Sequence, residues 1–169
     1  MDEASAVSLR PLGLCDLDLA AALHGACFEV PWNAQAFAEL LAIPGAAGVC
    51  ALRGAEPVGL LLFLLQPPDA EILTLGVLPA LRRRGIGRTL LDAAAGQVRQ
   101  AGAARLLLEV AANNDAATSL YRQAGFRPLS RRRHYYRRAG SPAVDADVLV
   151  LELGIGGQAA PVPAGIPGN

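Results

Sequence analysis

The pattern of hydrophobic and polar positions along the chain predicts alternating strands and helices. Short apolar runs bounded by turn residues predict strands over residues 7–9, 46–53, 58–66, 70–77, 105–110, 126–136 and 144–153. Apolar residues spaced three and four apart predict helices over residues 16–27, 33–43, 85–100 and 113–124. Strands and helices in this order predict an α/β fold built on one central sheet.

Polar residues and glycines at the helix ends set these boundaries. Asp16, Asn33 and either Asn113 or Asn114 precede helical runs, and their side-chain oxygens can cap the first-turn amides. Gly125 follows the last helix at the position that favours a left-handed residue. The predicted helices are therefore bounded by residues of the expected chemistry.

The composition fits a single globular domain. Of the 169 residues, 53% are hydrophobic and 18% are charged, and the mean hydropathy of +0.33 argues against a disordered chain. We expect one domain over residues 1–153 and a Gly/Pro-rich disordered tail over residues 154–169. The densest apolar run, residues 60–65, is too short to span a membrane, and the acidic start lacks the basic region of a signal peptide. We therefore predict a cytoplasmic protein without membrane partners.

The spacing of cysteine and histidine gives no metal site. Cys15, Cys27 and Cys50 form no CxxC pair and are expected to be structural thiols in a reducing compartment. His24 lies on the apolar face of the first predicted helix without a second ligand at metal spacing, so we expect a packed histidine. The sequence therefore predicts no bound metal.

Charge is balanced overall but unevenly distributed. The chain carries 15 Lys+Arg and 15 Asp+Glu. All the cations are Arg, and thirteen of them fall in residues 82–138 with only three acids. Such a segment is expected to attract a polyanion or a phosphorylated ligand, and the alternative is a solvated basic face.

A basic glycine turn joins the strand at residues 70–77 to the helix that follows. Arg82, Arg83 and Arg84 precede Gly85-Ile86-Gly87, which opens the helix. Glycines let the backbone approach a ligand closely, and the first amides of a helix point at an anion with the positive end of the helix dipole. The segment therefore predicts a pyrophosphate cradle, with an ordinary basic loop as the alternative.

This turn also resembles a family signature. Arg82-x-x-Gly85-x-Gly87 is similar to the Gln/Arg-x-x-Gly-x-Gly/Ala signature of the GNAT family of N-acetyltransferases. The second half of the family pattern is matched by Leu108-Glu109-Val110, Asn114 and Leu120-Tyr121-x-x-x-Gly125-Phe126. Pro31-Trp32-Asn33 and Arg132-Arg133-His134-Tyr135-Tyr136 resemble segments of the RimI subfamily, the ribosomal-protein-alanine N-acetyltransferases. The resemblance covers about residues 6–153.

The resemblance implies the GNAT fold, a mixed central sheet of about seven strands flanked by about four helices. It also implies acetyl-CoA bound where two parallel strands splay apart. The residues that match the cofactor-binding positions are Leu75, Val77, Arg82, Arg83, Arg84, Gly85, Ile86, Gly87, Arg88, Thr89 and Asn114. The backbone of Leu75 and Val77 is implied to pair with the pantetheine arm, and Gly76 lies where the strand is expected to kink.

The resemblance also implies which residues carry the reaction. Glu109 interrupts an apolar run and matches the general base that removes a proton from the acceptor ammonium. Tyr121 matches the general acid that protonates the leaving thiolate, and the Val77 amide matches an oxyanion donor. From the residues alone, an ion-paired glutamate and a packing tyrosine are the alternatives. Trp32, His134 and Tyr135 are implied to line the acceptor groove.

The implied activity is acetyl transfer from acetyl-CoA to a protein N-terminus, most specifically the N-terminal alanine of a small-subunit ribosomal protein, by direct attack in a ternary complex. The acceptor region departs from the subfamily pattern, with His134 in place of Asn and Arg137 in place of Pro. A GNAT enzyme for a small amine, an aminoglycoside or a lysine side chain is one alternative. An Arg-rich module that binds RNA or the ribosome is another, but few aromatic residues accompany the arginines, so stable nucleic-acid binding is not expected.

Overall fold

The computed structural model describes residues 6–136 and 142–154. Within them the strands are β1 (Val7–Leu12), β2 (Ala46–Arg53), β3 (Glu56–Gln66), β4 (Asp69–Val77), β5 (Arg105–Ala111), β6 (Arg127–Tyr136) and β7 (Val144–Glu152). The helices are α1 (Leu17–Cys27), α2 (Ala34–Leu41), α3 (Ile86–Gln100) and α4 (Asp115–Gln123), and short 3₁₀ turns cover Leu14–Asp16 and Pro79–Leu81. None of these helices is long and apolar enough to cross a membrane.

The strands form one mixed seven-stranded sheet in the order β1-β2-β3-β4-β5-β7-β6. Among the described strands, β4 and β5 are parallel neighbours and the other neighbouring pairs are antiparallel. The pairing of β4 with β5 runs only from Asp69 opposite Arg105 to Ile72 opposite Leu108. Beyond that point residues 73–77 of β4 and residues 109–111 of β5 form a fork in the middle of the sheet.

A β-bulge at Leu73 lies where the fork begins. The ladder with β3 includes Ile72 and Thr74 but skips Leu73, which is therefore an extra residue in β4. The extra residue shifts the alternation of side chains by one, so Leu73 and Thr74 both face α1 while Ile72 packs on the α3 side. Because a bulge also bends its strand, it accounts for the end of the pairing with β5.

Gly76 serves close packing rather than a kink. It pairs regularly with Leu60 of β3, so the predicted kink at this glycine is wrong. A Cβ at this position would lie 3.0 Å from Phe28 Cε2 and 3.2 Å from the Cβ and Sγ of Cys27. A glycine therefore lets the end of α1 lie directly against the fork.

Two apolar clusters lie on opposite faces of the sheet. On one face, the buried residues of α3 and Tyr121 of α4 pack against Leu106, Leu108 and Val110 of β5. On the other face, α1 and α2 cover β2, β3 and β4 and bury Leu23 and Phe37. The fork therefore opens between a face covered by α3 and α4 and a face whose helices cover only one half of the sheet.

The predicted fold class and element order are confirmed. Asn33 and Asn114 cap α2 and α4, since their side-chain oxygens accept hydrogen bonds from the amides of Ala36 and Ala117. The first strand extends past its predicted end to Leu12. The predicted boundary at residue 153 stays a prediction, because residues 155–169 of the predicted tail lie outside the described residues, as does Arg137.

Asp16 precedes α1 but does not cap it. Its carboxylate accepts hydrogen bonds from the guanidinium of Arg10, at 2.8 and 3.0 Å, and from the amide of Gly13. These bonds lower the pKa of Asp16 to about 2. The predicted cap is therefore wrong, and the residue instead ties β1 to the turn before the helix.

Candidate active site

A cleft of about 690 Å³ lies at the carboxyl end of β4, beside the fork. Residues 75–77 of β4, residues 85–88 at the start of α3, and Tyr121 of α4 line it. Phe28 and Cys27, at the end of α1, complete the wall. The elements that carry the predicted cofactor residues therefore meet around one cavity.

The glycine turn fits a diphosphate. Gly85 is the N-cap of α3 with a φ of 82°, and it has no side chain to cap the first-turn amides. The Thr89 hydroxyl donates to the Gly85 carbonyl at 3.2 Å, which tightens the turn. A Cβ on Gly87 would lie 3.0 Å from Leu120 Cδ2, so a glycine is needed for α3 and α4 to approach each other. Free helix amides beside a bare backbone are a suitable site for phosphate oxygens.

The predicted arginines differ in what their side chains do. Arg82 donates hydrogen bonds to the carbonyls of Val77 and Cys27, at 3.1 and 3.2 Å. Arg88 binds the carboxylate of Asp92 and donates to the carbonyl of Gln123, so it joins α3 to the end of α4. Both arginines line the cleft, and both guanidinium groups already have hydrogen-bond partners within the protein.

Arg83, Arg84 and Asn114 complete the predicted cofactor set. Arg83 lines the cleft and has a φ of 61°, a left-handed conformation that is uncommon for a residue other than glycine. Arg84 is exposed and lies outside the described lining, as does Thr89. Asn114 lines the cleft while its side-chain oxygen caps α4.

Tyr121 and Glu109 flank the fork from opposite faces of the sheet. Tyr121 is 8% exposed, packs edge-on against Phe126 and lines the cleft on the α3 side. Glu109 follows the last paired residue of β5, and its neighbours Leu108 and Val110 face the α3 side. Because side chains alternate along a strand, Glu109 faces the opposite side.

A second cavity, of about 350 Å³, lies on the Glu109 side of the sheet. Glu109 forms an ion pair with Arg132 of β6 at 2.9 Å, and Glu71 of β4 lines the same cavity. Desolvation raises the pKa of Glu71, the negative charge of Glu109 raises it further, and Arg132 opposes the shift. Asp69 also lines the cavity but is paired with Arg105, so Glu71 and Glu109 are the two carboxylates that face the Arg132 guanidinium.

The predicted acceptor residues lie in different surroundings. The Trp32 ring is stacked on His24 and meets Phe37 edge-on, outside the described lining of both cavities. His134 has a φ of 53° at an irregularity of β6, and its amide donates to Asp145. Tyr135 is 48% exposed, and the Arg132 guanidinium lies 5.2 Å from its ring centroid. A groove shared by these residues stays a prediction.

Four residues of this region were missed by the sequence reasoning. Cys27 and Phe28 line the cleft, and Arg132 and Glu71 join Glu109 in the second cavity. A glutamate within the apolar run of β4 was a signal for Glu71, of the same kind that singled out Glu109. No local pattern marks the other three, because each meets the site through contacts between distant segments.

Ion pairs engage five of the eleven described arginines of the basic stretch. Four pairs on the surface join Arg88 with Asp92, Arg105 with Asp69, Arg127 with Glu152, and Arg131 with Asp147. With Arg132 engaged by Glu109, five arginines of the stretch have acidic partners. RNA binding needs cations free for phosphates, so these pairs reduce the positive charge available to an RNA.

Comparisons with known proteins identify relatives that match most of the chain. Residues 17–126 match the acetyltransferase (GNAT) family. The chain is 38% identical over 147 residues to the N-alpha-acetyltransferase RimI of Mycobacterium tuberculosis, and the match covers 81% of this chain and 89% of the relative. It is 36% identical over 89 residues to the ribosomal protein bS18-alanine N-acetyltransferase of Escherichia coli strain K12, covering 52% of this chain and 57% of that enzyme.

The fold is also shared with a solved relative. The crystal structure of the ribosomal-protein-S18-alanine N-acetyltransferase from Escherichia coli matches with a TM-score of 0.84 at 25% identity, covering 93% of this chain and 100% of the other. The predicted family, fold and enzyme class are confirmed, whereas the roles of individual residues stay predictions. The chain belongs to the GNAT family and is an N-acetyltransferase.

Proposed function

We propose that this enzyme transfers the acetyl group of acetyl-CoA to the N-terminal α-amino group of a protein, and that its acceptor is an N-terminal alanine of a small-subunit ribosomal protein. The names of the Mycobacterium tuberculosis and Escherichia coli relatives support this acceptor class. The observation that carries the proposal is the position of Glu109 and Tyr121 on opposite faces at one fork. A group held at the fork is open to a base from one side and an acid from the other.

Bound acetyl-CoA supplies the acetyl group as a thioester. The bare amides at the start of α3 would hold its diphosphate. Leu75 would offer its backbone groups and Val77 its amide, since β4 has no partner strand on that side beyond Ile72 and the Val77 carbonyl already accepts from Arg82. The Val77 amide would stabilise the oxyanion that forms on attack.

Glu109 and Tyr121 move the protons of the reaction. Glu109 accepts a proton from the acceptor ammonium, directly or through one water, and the freed amine attacks the acetyl carbon. The carbon–nitrogen bond forms, the carbon–sulfur bond breaks, and Tyr121 donates its phenolic proton to the leaving thiolate. The amide nitrogen and Glu109 each release one proton to solvent. Solvent returns the proton to Tyr121 after the product leaves. None of the three cysteines falls on a catalytic position of the family pattern, so the proposed reaction is a direct transfer without an acyl-enzyme.

The charges on the Glu109 side suit a cationic acceptor. The second cavity is lined by Asp69, Glu71 and Glu109, and since Asp69 is paired with Arg105, Glu71 and Glu109 face the Arg132 guanidinium. An N-terminal ammonium that enters would replace part of the Arg132 contact and meet a site with a net negative charge. The same charge would favour the basic N-terminal segments that nucleic-acid-binding proteins such as ribosomal proteins carry.

Calorimetric titration with acetyl-CoA tests the cofactor site. Gly85→Asp adds a negative charge to the proposed cradle, and Gly85→Asn is its matched control, since Asn has the same shape and also tolerates a left-handed backbone. We expect saturable binding by the wild type, a large loss in Gly85→Asp and a smaller one in Gly85→Asn. Equal affinity in all three proteins would remove the cradle from the proposal.

Peptide acetylation followed by mass spectrometry tests the acceptor. Three substrates are compared: a peptide beginning with alanine, the same peptide with a blocked N-terminus and an internal lysine, and a small polyamine. We expect acetylation of the first only. Preference for the blocked peptide or for the polyamine would assign the enzyme to one of the two other acceptor classes while leaving the acetyl-CoA site intact.

A further inference from the structure

His24 is a buried imidazole among aromatic rings. It is 3% exposed and is the one buried polar or charged side chain among the residues that the structure describes. Its ring is stacked between Phe28, at 4.1 Å between centroids, and Trp32, at 4.9 Å. Phe37 of α2 meets it edge-on at 5.6 Å. Burying a polar ring costs free energy unless its hydrogen bonds are satisfied. The partners of the two ring nitrogens therefore show which segments His24 connects.

Both ring nitrogens of His24 have partners on other segments. The amide of Trp32 donates to Nδ1 at 3.0 Å, so Nδ1 carries no proton. The neutral ring therefore has its proton on Nε2, which donates to the Thr74 hydroxyl oxygen at 3.2 Å. Burial lowers the pKa of His24 to about 4, so this neutral form is kept at neutral pH.

Residues 28–33 form the link between α1 and α2, and His24 is its main anchor. The link has no regular secondary structure. Its first residue, Phe28, lines the acetyl-CoA cleft next to Gly76, and Trp32 lies near its end. His24 contacts both aromatic rings and binds the Trp32 backbone, so both ends of the link are fixed to one imidazole.

Thr74 connects this anchor to the fork. The bulge at Leu73 turns Thr74 toward α1, and without the extra residue the hydroxyl would face the α3 side. The same bulge lies where β4 leaves β5. The position of the link is therefore set relative to the stretch of β4 that would hold the acetyl group.

We propose that His24 is a positioning residue, which holds the link against β4 through Thr74 and thereby sets the affinity for the acceptor. This assignment rests on the proposed acetyltransferase function for its effect on the acceptor. The link packs on the α1 face of the sheet, the face toward which Glu109 turns, so its main effect falls on the acceptor, while Phe28 also borders the acetyl-CoA cleft.

Thr74→Val and Thr74→Ser form a matched pair that tests the hydrogen bond. Val keeps the shape of Thr but cannot accept the Nε2 proton, whereas Ser keeps the hydroxyl. We expect Thr74→Val to raise the peptide KM about tenfold, the effect of one lost hydrogen bond, with kcat within about threefold of wild type. Thr74→Ser should restore the wild-type KM. A fall in kcat with unchanged KM in Thr74→Val would overturn the proposal.

Trp32 gives a readout that needs no acceptor, because it is the only tryptophan in the sequence. Acrylamide quenching of its fluorescence should be stronger in Thr74→Val than in the wild type and unchanged in Thr74→Ser. Quenching equal in all three proteins would overturn the proposal even if KM rose, since the link would not have moved. If the wild type acetylates no peptide, the proposed function fails, and the quenching comparison still decides whether His24 holds the link.

Discussion

The two faces of the fork differ in whether backbone groups or side chains form the site. On the α3 side, the proposed acetyl-CoA cleft is bordered by the end of β4, the glycine turn and the uncapped start of α3, where backbone groups would meet the cofactor. On the opposite side, the site consists of side chains brought from distant segments, with Arg132 against Glu109 and Thr74 against His24. The backbone site is made largely of consecutive residues. The side-chain site is made of residues far apart in the sequence, which meet only when the sheet forms.

This difference has a functional consequence. A ligand common to a whole family can be held by amides and glycines, which tolerate changes in neighbouring side chains. An acceptor that differs between enzymes needs groups that sequence change can replace one at a time. The Glu109 face, with its cavity of carboxylates and its anchored link, has that character.

The largest expected effects come from removing one proton-transfer group on each face. Glu109→Gln and Tyr121→Phe should each lower kcat by about 10²- to 10⁴-fold, because each deletes an acid or base while keeping the shape of the side chain. Acetyl-CoA affinity should change little in either variant. Steady-state kinetics with an alanine-initiated peptide measures the first, and calorimetry measures the second.

Glu56→Gln serves as the control for this pair, since Glu56 is exposed on the β2–β3 hairpin. Its kcat should equal that of the wild type. Wild-type rates in both Glu109→Gln and Tyr121→Phe would refute the assigned roles. A loss confined to Tyr121→Phe would mean that the Glu109 face orients the acceptor without taking its proton.

The pH dependence of stability tests the side-chain face next. The pKa of His24 is about 4 in the folded protein against 6.5 for an ordinary histidine, so between these values the unfolded chain binds a proton that the folded chain does not. The free energy of unfolding should therefore fall as pH is lowered from about 6.5 to about 4, by up to roughly 3 kcal/mol. Urea titrations at several pH values measure it.

His24→Gln isolates this contribution, because glutamine does not titrate. The raised pKa of Glu71 acts in the opposite direction in part of the same pH range, and both proteins share it. The lowered pKa of Asp16 removes stability only as pH falls below about 4. A wild-type and a His24→Gln protein with parallel pH profiles would mean that His24 is not held neutral.

Gly76→Ala tests the close packing of the end of α1 against β4 beside the cleft. The added methyl group would lie 3.0 Å from Phe28 Cε2 and 3.2 Å from Cys27 Sγ, tighter than ordinary contact, so these two residues of the cleft wall must shift. We expect the Kd for acetyl-CoA to rise about tenfold, in line with an overpacking cost of about 1–3 kcal/mol. Gly96→Ala, on α3 with nothing within 4 Å of the added Cβ, is the control and should bind normally. Normal binding by both would show that Phe28 does not border the cofactor.

The sequence predicts the elements around the glycine turn well. It predicts the side-chain contacts on the Glu109 side of the sheet poorly. The turn of Gly85 and Gly87 could be placed because its strand, glycines and helix are consecutive, and local physics decides all three. The bulge was not predicted, although the alternation of apolar residues in β4 changes phase at Leu73, from positions 70 and 72 to positions 73, 75 and 77. Its existence depends on how β3 and β5 pair with β4.

His24 and Glu109 show the same limit. The sequence predicted a packed histidine, which is correct, but its bond to Thr74 joins residues 50 positions apart. Glu109 was recognised by its apolar neighbours, whereas its partner Arg132 lies on a strand that reaches β5 only through β7. Pairings of this kind are set by sheet order, which local patterns do not contain.

The two asparagine caps give the smallest effect and the most direct comparison of the faces. Asn114 caps α4 at 3.2 Å on the cleft side, and Asn33 caps α2 at 2.9 Å at the end of the link. Replacing either with Ala removes a similar hydrogen bond, so each variant should lose about 1 kcal/mol of stability in urea titrations. Only Asn114→Ala should also weaken acetyl-CoA binding, since Asn114 lines the cleft. Equal acetyl-CoA affinity in both variants would mean that Asn114 serves the helix alone, and the cofactor side would then depend on backbone groups even more completely.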